Sequence, residues 1–160
     1  MNITRVKIVK PEGANIIFGQ SHFIKTVEDL YEALIGSVPG IRFGLAFCEA
    51  SGPCLVRSAG NDKKLELAAS DNAMMIGAGH SFMIIFEEAF PINLMHAVKS
   101  VPEVCSIHCA TANPVDVIIA EMEQGKAVIG VVDGYAPKGK ESEQDKQDRR
   151  YFLRKIGYKL

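Results

Sequence analysis

Apolar and polar positions alternate along this chain in short, well-separated stretches. The densest is Val115 to Gly134, where the apolar runs Val115–Met122 and Ala127–Val132 flank Glu123-Gln124-Gly125-Lys126. Glycine between two such runs predicts a hairpin. Val115, Val117 and Ile119 fall on one face, and Ile118, Ala120 and Met122 on the other. A strand apolar on both faces is expected inside a covered sheet. A hairpin brings its own ends together, so the polar segment Ala110–Pro114 is expected beside the polar segment Asp133–Lys140. With a two-residue turn at Gln124-Gly125, Asp116 faces Asp133, and a Mg²⁺ ion or a shared proton would relieve that opposition of like charges. A bulged turn would separate the pair.

The remaining pattern predicts a mixture of elements. Residues 3–10 alternate as a half-exposed strand, and Asn15–Gly19 reads as its returning partner after Pro11-Glu12-Gly13. Thr26-Val27-Glu28-Asp29 fits a capping box opening a helix with Leu30, Tyr31, Leu34 and Ile35 as its stripe. Ile41–Glu49 is a strand with Ile41, Phe43, Leu45 and Phe47 on one side; Gly44 and Ala46 on the other leave room for close packing. A short strand, Cys54–Arg57, follows the turn Ala50–Pro53. Asn61 or Asp62 caps a second helix reaching Ile76, with Leu65, Ala69, Asn72 and Ile76 inward. Gly77-Ala78-Gly79-His80 stops it before a strand at Ser81–Phe86, and Pro91 opens a third helix. Val104–Cys109 is another strand, and a last helix, Glu141–Ile156, runs from acidic to basic with only Phe152, Leu153 and Ile156 able to dock. The sum is about eight strands and about four helices. It predicts one α/β domain over residues 1–160, a mixed β-sheet of hairpins and helix crossovers covered by helices.

Composition narrows the function classes. The 160 residues are 48% apolar and 23% charged, with a net charge of −1, which points away from nucleic acid and membrane surfaces as partners. No apolar run reaches the length of a membrane span and the N-terminal residues do not read as a signal peptide, so a cytoplasmic setting is expected. Cys105 and Cys109 on one strand face stand about 13 Å apart at ~3.3 Å per residue, too far for a disulfide or a shared zinc. His108 is expected on the opposite face, and the four cysteines read as buried thiols.

Chemistry is expected at the strand ends. Gly134 to Glu141 (GYAPKGKE) matches a phosphate-binding loop except that Glu141 stands where Ser or Thr would ligate Mg²⁺. Pro137 also removes a backbone donor. The segment is therefore a flexible loop, or one in which Lys138 or Lys140 neutralises a phosphate. His80, between a glycine-rich helix end and a buried strand, can act as phosphoryl acceptor, acid/base or phosphate contact, or can be a satisfied structural histidine. The turns containing Glu49 and Ser51, and Thr111 and Asn113, follow buried strands, where ligands favour α/β scaffolds; each is equally a plain turn.

The segments FGLAFCEASGP (43–53), GND (60–62), IGAGHSF (76–82), FPIN (90–93), ATANPV (110–115) and GVVDG (130–134), in this order, resemble the adenosine-specific kinase family. The resemblance runs through nearly the whole chain. It implies an α/β fold, homo-oligomers, adenosine or AMP as ligand, and a phosphorylatable histidine matched by His80. On that resemblance, Asp133 or Glu49 holds the ribose or takes a proton, and Lys138 assists electrostatically. Thr111, Asn113, Glu49 and Ser51 line the nucleoside. The competing expectation is a non-catalytic adenosine or AMP sensor, since no complete triphosphate-binding motif is present.

Overall fold

The computed structural model describes all of residues 1–160. Its strands are β1 (Asn2–Lys7), β2 (Asn15–Gln20), β3 (Arg42–Cys48), β4 (Val56–Gly60), β5 (Ser81–Glu87), β6 (Ser106–Thr111), β7 (Val115–Glu121) and β8 (Lys126–Asp133). Its helices are α1 (Thr26–Ile35), α2 (Lys63–Ile76), α3 (Pro91–Ser100) and α4 (Glu143–Lys155). The most apolar run, Phe82–Phe86, is wholly buried at the centre of a five-stranded sheet in the order β4-β3-β5-β2-β6. Each such side chain contributes roughly 1.5–3 kcal/mol through burial.

The two faces of this sheet bury different partners. Phe43, Leu45, Phe47, Phe82, Ile84 and Phe86 pack with Leu30 and Leu34 of α1 and Leu94 and Val98 of α3. The other face, with Ile16, Phe18, Ala46, Met83 and Ile85, packs on Leu65, Ala69, Ala73 and Ile76 of α2 and on Val115, Val117 and Ile119. Those last three belong to a second sheet, β1-β7-β8. The α/β class, eight strands and four helices are as expected.

The expected single mixed sheet is instead two sheets, and every strand pairing within them is antiparallel. β2 is not the partner of β1; it lies between β5 and β6, while β1 pairs with β7. A short Pro11–Ala14 turn suggested a hairpin, but the apolar face of β2 is buried by pairing elsewhere. β8 is an edge strand with Ile129 57% and Val132 51% exposed, so only β7 fulfils the covered-strand expectation.

Helix ends follow local chemistry unevenly. Asp62 caps α2, accepting from the N–H groups of Lys64 (3.0 Å) and Leu65 (3.1 Å), and Gly77 closes it in the left-handed conformation. The capping box at Thr26 does not form: Lys25 is the N-cap without a side-chain cap, and buried Thr26 donates its hydroxyl to the Phe23 carbonyl. Ser142 and Asp145 make a reciprocal box on α4. None of the residues of α4 is buried, so the expected docking of Phe152 and Ile156 is not made within the chain.

Gly44 is where α2 meets β3. A Cβ there would lie 2.0 Å from the backbone nitrogen of Glu66 and 2.2 Å from the Leu65 carbonyl carbon. Backbone cannot yield as a side chain can, so Gly44→Ala is expected to cost about 3 kcal/mol or more. In thermal unfolding that is a fall of about 6–12 °C in Tm; an unchanged Tm would contradict the close approach.

Candidate functional site

The β3–β4 connection assembles the first group of predicted residues. Glu49 extends β3, its N–H donating to the Leu55 carbonyl at 3.0 Å. Its carboxylate accepts from the Leu55 N–H (2.8 Å) and pairs with Arg57 (2.9 Å). These partners, the Leu55 N–H foremost and then Arg57, hold the Glu49 carboxyl below the usual range against the opposing effect of desolvation. Arg57 lies directly across the ladder from Phe47, hence on the same sheet face. His80 stacks its ring on Phe47, centroids 5.8 Å apart and planes at 17°. The end of β3 thus brings the Glu49–Arg57 pair and the His80 imidazole into one neighbourhood.

The backbone of His80 is pinned. It adopts φ +61°. Its N–H donates to the Cys48 carbonyl (2.8 Å), and its carbonyl accepts from the Ser21 N–H (2.9 Å). A non-glycine residue in the left-handed region costs free energy, and such residues concentrate at functional sites. Ser51 is exposed at the tip of the same turn.

On the α2 side of β3, the face opposite Phe47, opens a cleft of about 980 Å³, and Glu49 is the member of this group that lines it; the volume is typical of small-molecule sites. It lies between the β3–β4 turn, the end of α2 and the β7–β8 turn, and Glu49, Gly79, Met74, Met122 and Gln124 are among the residues lining it. A parallel bridge between Ala78 and Lys126 ties the β7–β8 turn to the α2–β5 connection.

The second predicted group sits elsewhere. Thr111 pairs with Ile16 on β2, whereas His80 bonds Ser21, five positions along the same strand, or about 16 Å at ~3.3 Å per residue. Thr111, Asn113 and Asp133 therefore occupy the opposite end of the larger sheet from Glu49, Ser51 and His80. There the expected juxtaposition of the two polar corners does occur. Asn113 Nδ2 donates to Asp133 Oδ1 (3.1 Å), Asn113 N–H to Thr111 Oγ1 (3.0 Å), and Gly134 N–H to the Pro114 carbonyl (2.9 Å). Beneath them the buried Cys109 thiol is pushed up to about 11 by burial and by the charge of Asp133. Lys138 is exposed in the loop that follows and makes no ion pair.

The expected Asp116–Asp133 opposition is not formed. The turn reverses at Glu123-Gln124, and a register shift after Ile118 sets Asp116 across from Val132 and Asp133 across from Val115. Adjacent ladder positions point to opposite faces. Asp116 instead pairs with Arg5 at 3.7 Å. The residues present do not fit a resident Mg²⁺ at this hairpin, and no group of three or more His, Cys, Asp or Glu is arranged to hold a metal. All four cysteines are free, and a bulge opposite Phe18/Gly19 turns His108 onto Phe18 (5.1 Å), the face Cys109 shares, contrary to simple alternation.

Comparison with known proteins identifies the family. The sequence profile of the family described as Adenosine specific kinase matches residues 6–159. The chain belongs to the adenosine-specific kinase family. A solved structure described as "Crystal Structure of PH1918 protein from Pyrococcus horikoshii OT3" is 49% identical, with a TM-score of 0.95 over 99% of this chain and 98% of that one. No curated protein matches. No helix is long and apolar enough to cross a membrane.

In this family member, Arg57 and the cleft walls were missed from sequence. Arg57 was identifiable only through its pairing opposite Phe47, which requires the strand register. Because the carboxyl of Glu49 is depressed, its contribution is present above the ordinary glutamate value and is lost only as pH falls through the lowered one. A ¹³C NMR titration is expected to place Glu49 below about 4.3, and Arg57→Met to raise it. An ordinary or elevated value in the unaltered protein would contradict the arrangement.

Proposed function

We propose that the protein binds adenosine or AMP in the cleft and transfers a phosphoryl group at the end of β3, where Glu49 pairs with Arg57 and His80 stacks on Phe47. What carries the reading is Glu49, which lines a nucleoside-sized cleft and, through its pair with Arg57, joins it to the end of β3 where His80 stacks on Phe47, in a member of the adenosine-specific kinase family. Glu49, kept ionised by its two donors, is a poor proton acceptor and a good partner for ribose hydroxyls. Ser51 lines the same turn. His80 carries the phosphoryl group or stabilises its charge, and Arg57 supplies the fixed cation next to it. Loose phosphoryl-transfer transition states need positioning and charge stabilisation more than strong base catalysis.

Thr111, Asn113, Asp133 and Lys138 belong to the same reading only if a second copy presents them, since one nucleoside does not span the larger sheet. A homo-oligomer is supported by α4, whose Tyr151 and Phe152 are 68% and 55% exposed. A short helix is marginal in water without packing. A reducing cytoplasm suits the four free thiols. The alternative, an adenosine or AMP sensor without turnover, is favoured by one observation: the Gly134–Lys140 segment is largely exposed and forms no phosphate cradle between a strand and a packed helix.

Calorimetry with adenosine and AMP, followed by a labelled transfer assay with a nucleoside triphosphate with and without Mg²⁺, separates the readings. Glu49→Gln is expected to weaken adenosine binding about tenfold or more. His80→Ala is expected to abolish transfer and leave adenosine binding within a few-fold. Binding without product under every donor condition would establish the sensor, and unimpaired transfer by His80→Ala would remove that residue's role. In light scattering the protein is expected to be an oligomer that Phe152→Ser dissociates; a monomeric parent protein would confine the site to one chain.

A further inference from the structure

The β7–β8 turn does more than reverse the chain. Met122 and Gln124 line the cleft together with Met74 from the end of α2, and the Ala78–Lys126 bridge fixes the turn two residues past Gln124. Lys126 is further held by its ion pair with Glu121 (3.2 Å), and its stem lies against Gly77, 3.5 Å from where a Cβ would sit. The roof of the cleft is therefore anchored to the same connection that positions His80. Met74 is 70% and Met122 57% exposed, so both present apolar surface at the cleft. Thioethers pack well against planar aromatic rings.

Gln124 is exposed where the turn lines the cleft, and its carboxamide offers a ligand one acceptor and one donor side by side. That pair matches the N6–H donor and N7 acceptor on one edge of adenine. Hypoxanthine presents two acceptors, O6 and N7, on the same edge and cannot satisfy both halves. We propose that Gln124 is the residue that selects adenine, reading its N6–N7 edge while Met74 and Met122 hold the ring faces. The base then lies under the β7–β8 turn, the ribose beside Glu49 and Gly79, and the 5′ end toward His80. This rests on the nucleoside-binding reading above and adds the element of the site that sets base specificity.

Three nucleosides test it: adenosine, inosine, and 7-deazaadenosine, which keeps the N6 amine and lacks the N7 acceptor. The unaltered protein is expected to bind adenosine at least about tenfold more tightly than either analogue, the discrimination a bidentate amide contact typically provides. In Gln124→Ala the three affinities are expected to converge. A Gln124→Ala protein that keeps the parent's preference overturns the assignment, as does a parent protein that binds 7-deazaadenosine as tightly as adenosine. A parent that binds none of the three overturns the nucleoside reading as well, so the two failures are distinguishable.

Discussion

The architecture depends on one contact without side chains. At Gly44 the backbone of β3 touches the first turn of α2, and at Gly60 a Cβ would stand 2.6 Å from the Phe43 carbonyl oxygen. This close approach lets α2 and the three-stranded sheet share one face of the larger sheet. Asn72 locks the two together, accepting from the Val9 N–H (2.8 Å) and donating to the Val9 carbonyl (2.6 Å) from a buried position on α2. The end of α2 and the β7–β8 turn then flank the β3–β4 turn, and the space among them is the cleft. The opposite face, filled by α1 and α3, leaves no comparable opening near Glu49.

Much of this organisation was legible in the residues. The inward stripe of α2, its Asp62 cap and the tight face at Gly44 and Ala46 follow from period and residue size, which act locally. The strands of the Val115–Gly134 hairpin were legible for the same reason. Partner choice was not. Asn15–Gly19 carries no mark saying that β5 and β6, not β1, will pair with it, because ladder bonds are the same for any neighbour. Nor did Thr26 announce that its hydroxyl would turn to Phe23 and leave the helix uncapped by a side chain.

The candidate site divides along the same line. Juxtapositions across one turn were readable: Asn113 beside Asp133, and Glu49 in a turn at a strand end. The facing of Asp116 and Asp133 failed because a single-residue register shift moves every later side chain to the other face. That the two polar groups stand at opposite ends of one sheet depends on strand directions, which no local pattern encodes. Arg57 emerged only from its place across from Phe47. The physical account is therefore a layered one: residue size sets where backbones touch, the contact sets where the layers part, and the parting sets which polar groups can reach a common ligand.

The most direct test of that account is to map adenosine onto the backbone by ¹H–¹⁵N chemical-shift perturbation of the intact protein. Binding in the cleft is expected to move the amides of Glu49–Leu55, Gly77–His80 and Met122–Lys126 together, with the interior of β5 unaffected. Perturbations confined to Thr111–Asn113 and Asp133–Lys140 would contradict the account and transfer the site to the other end of the sheet.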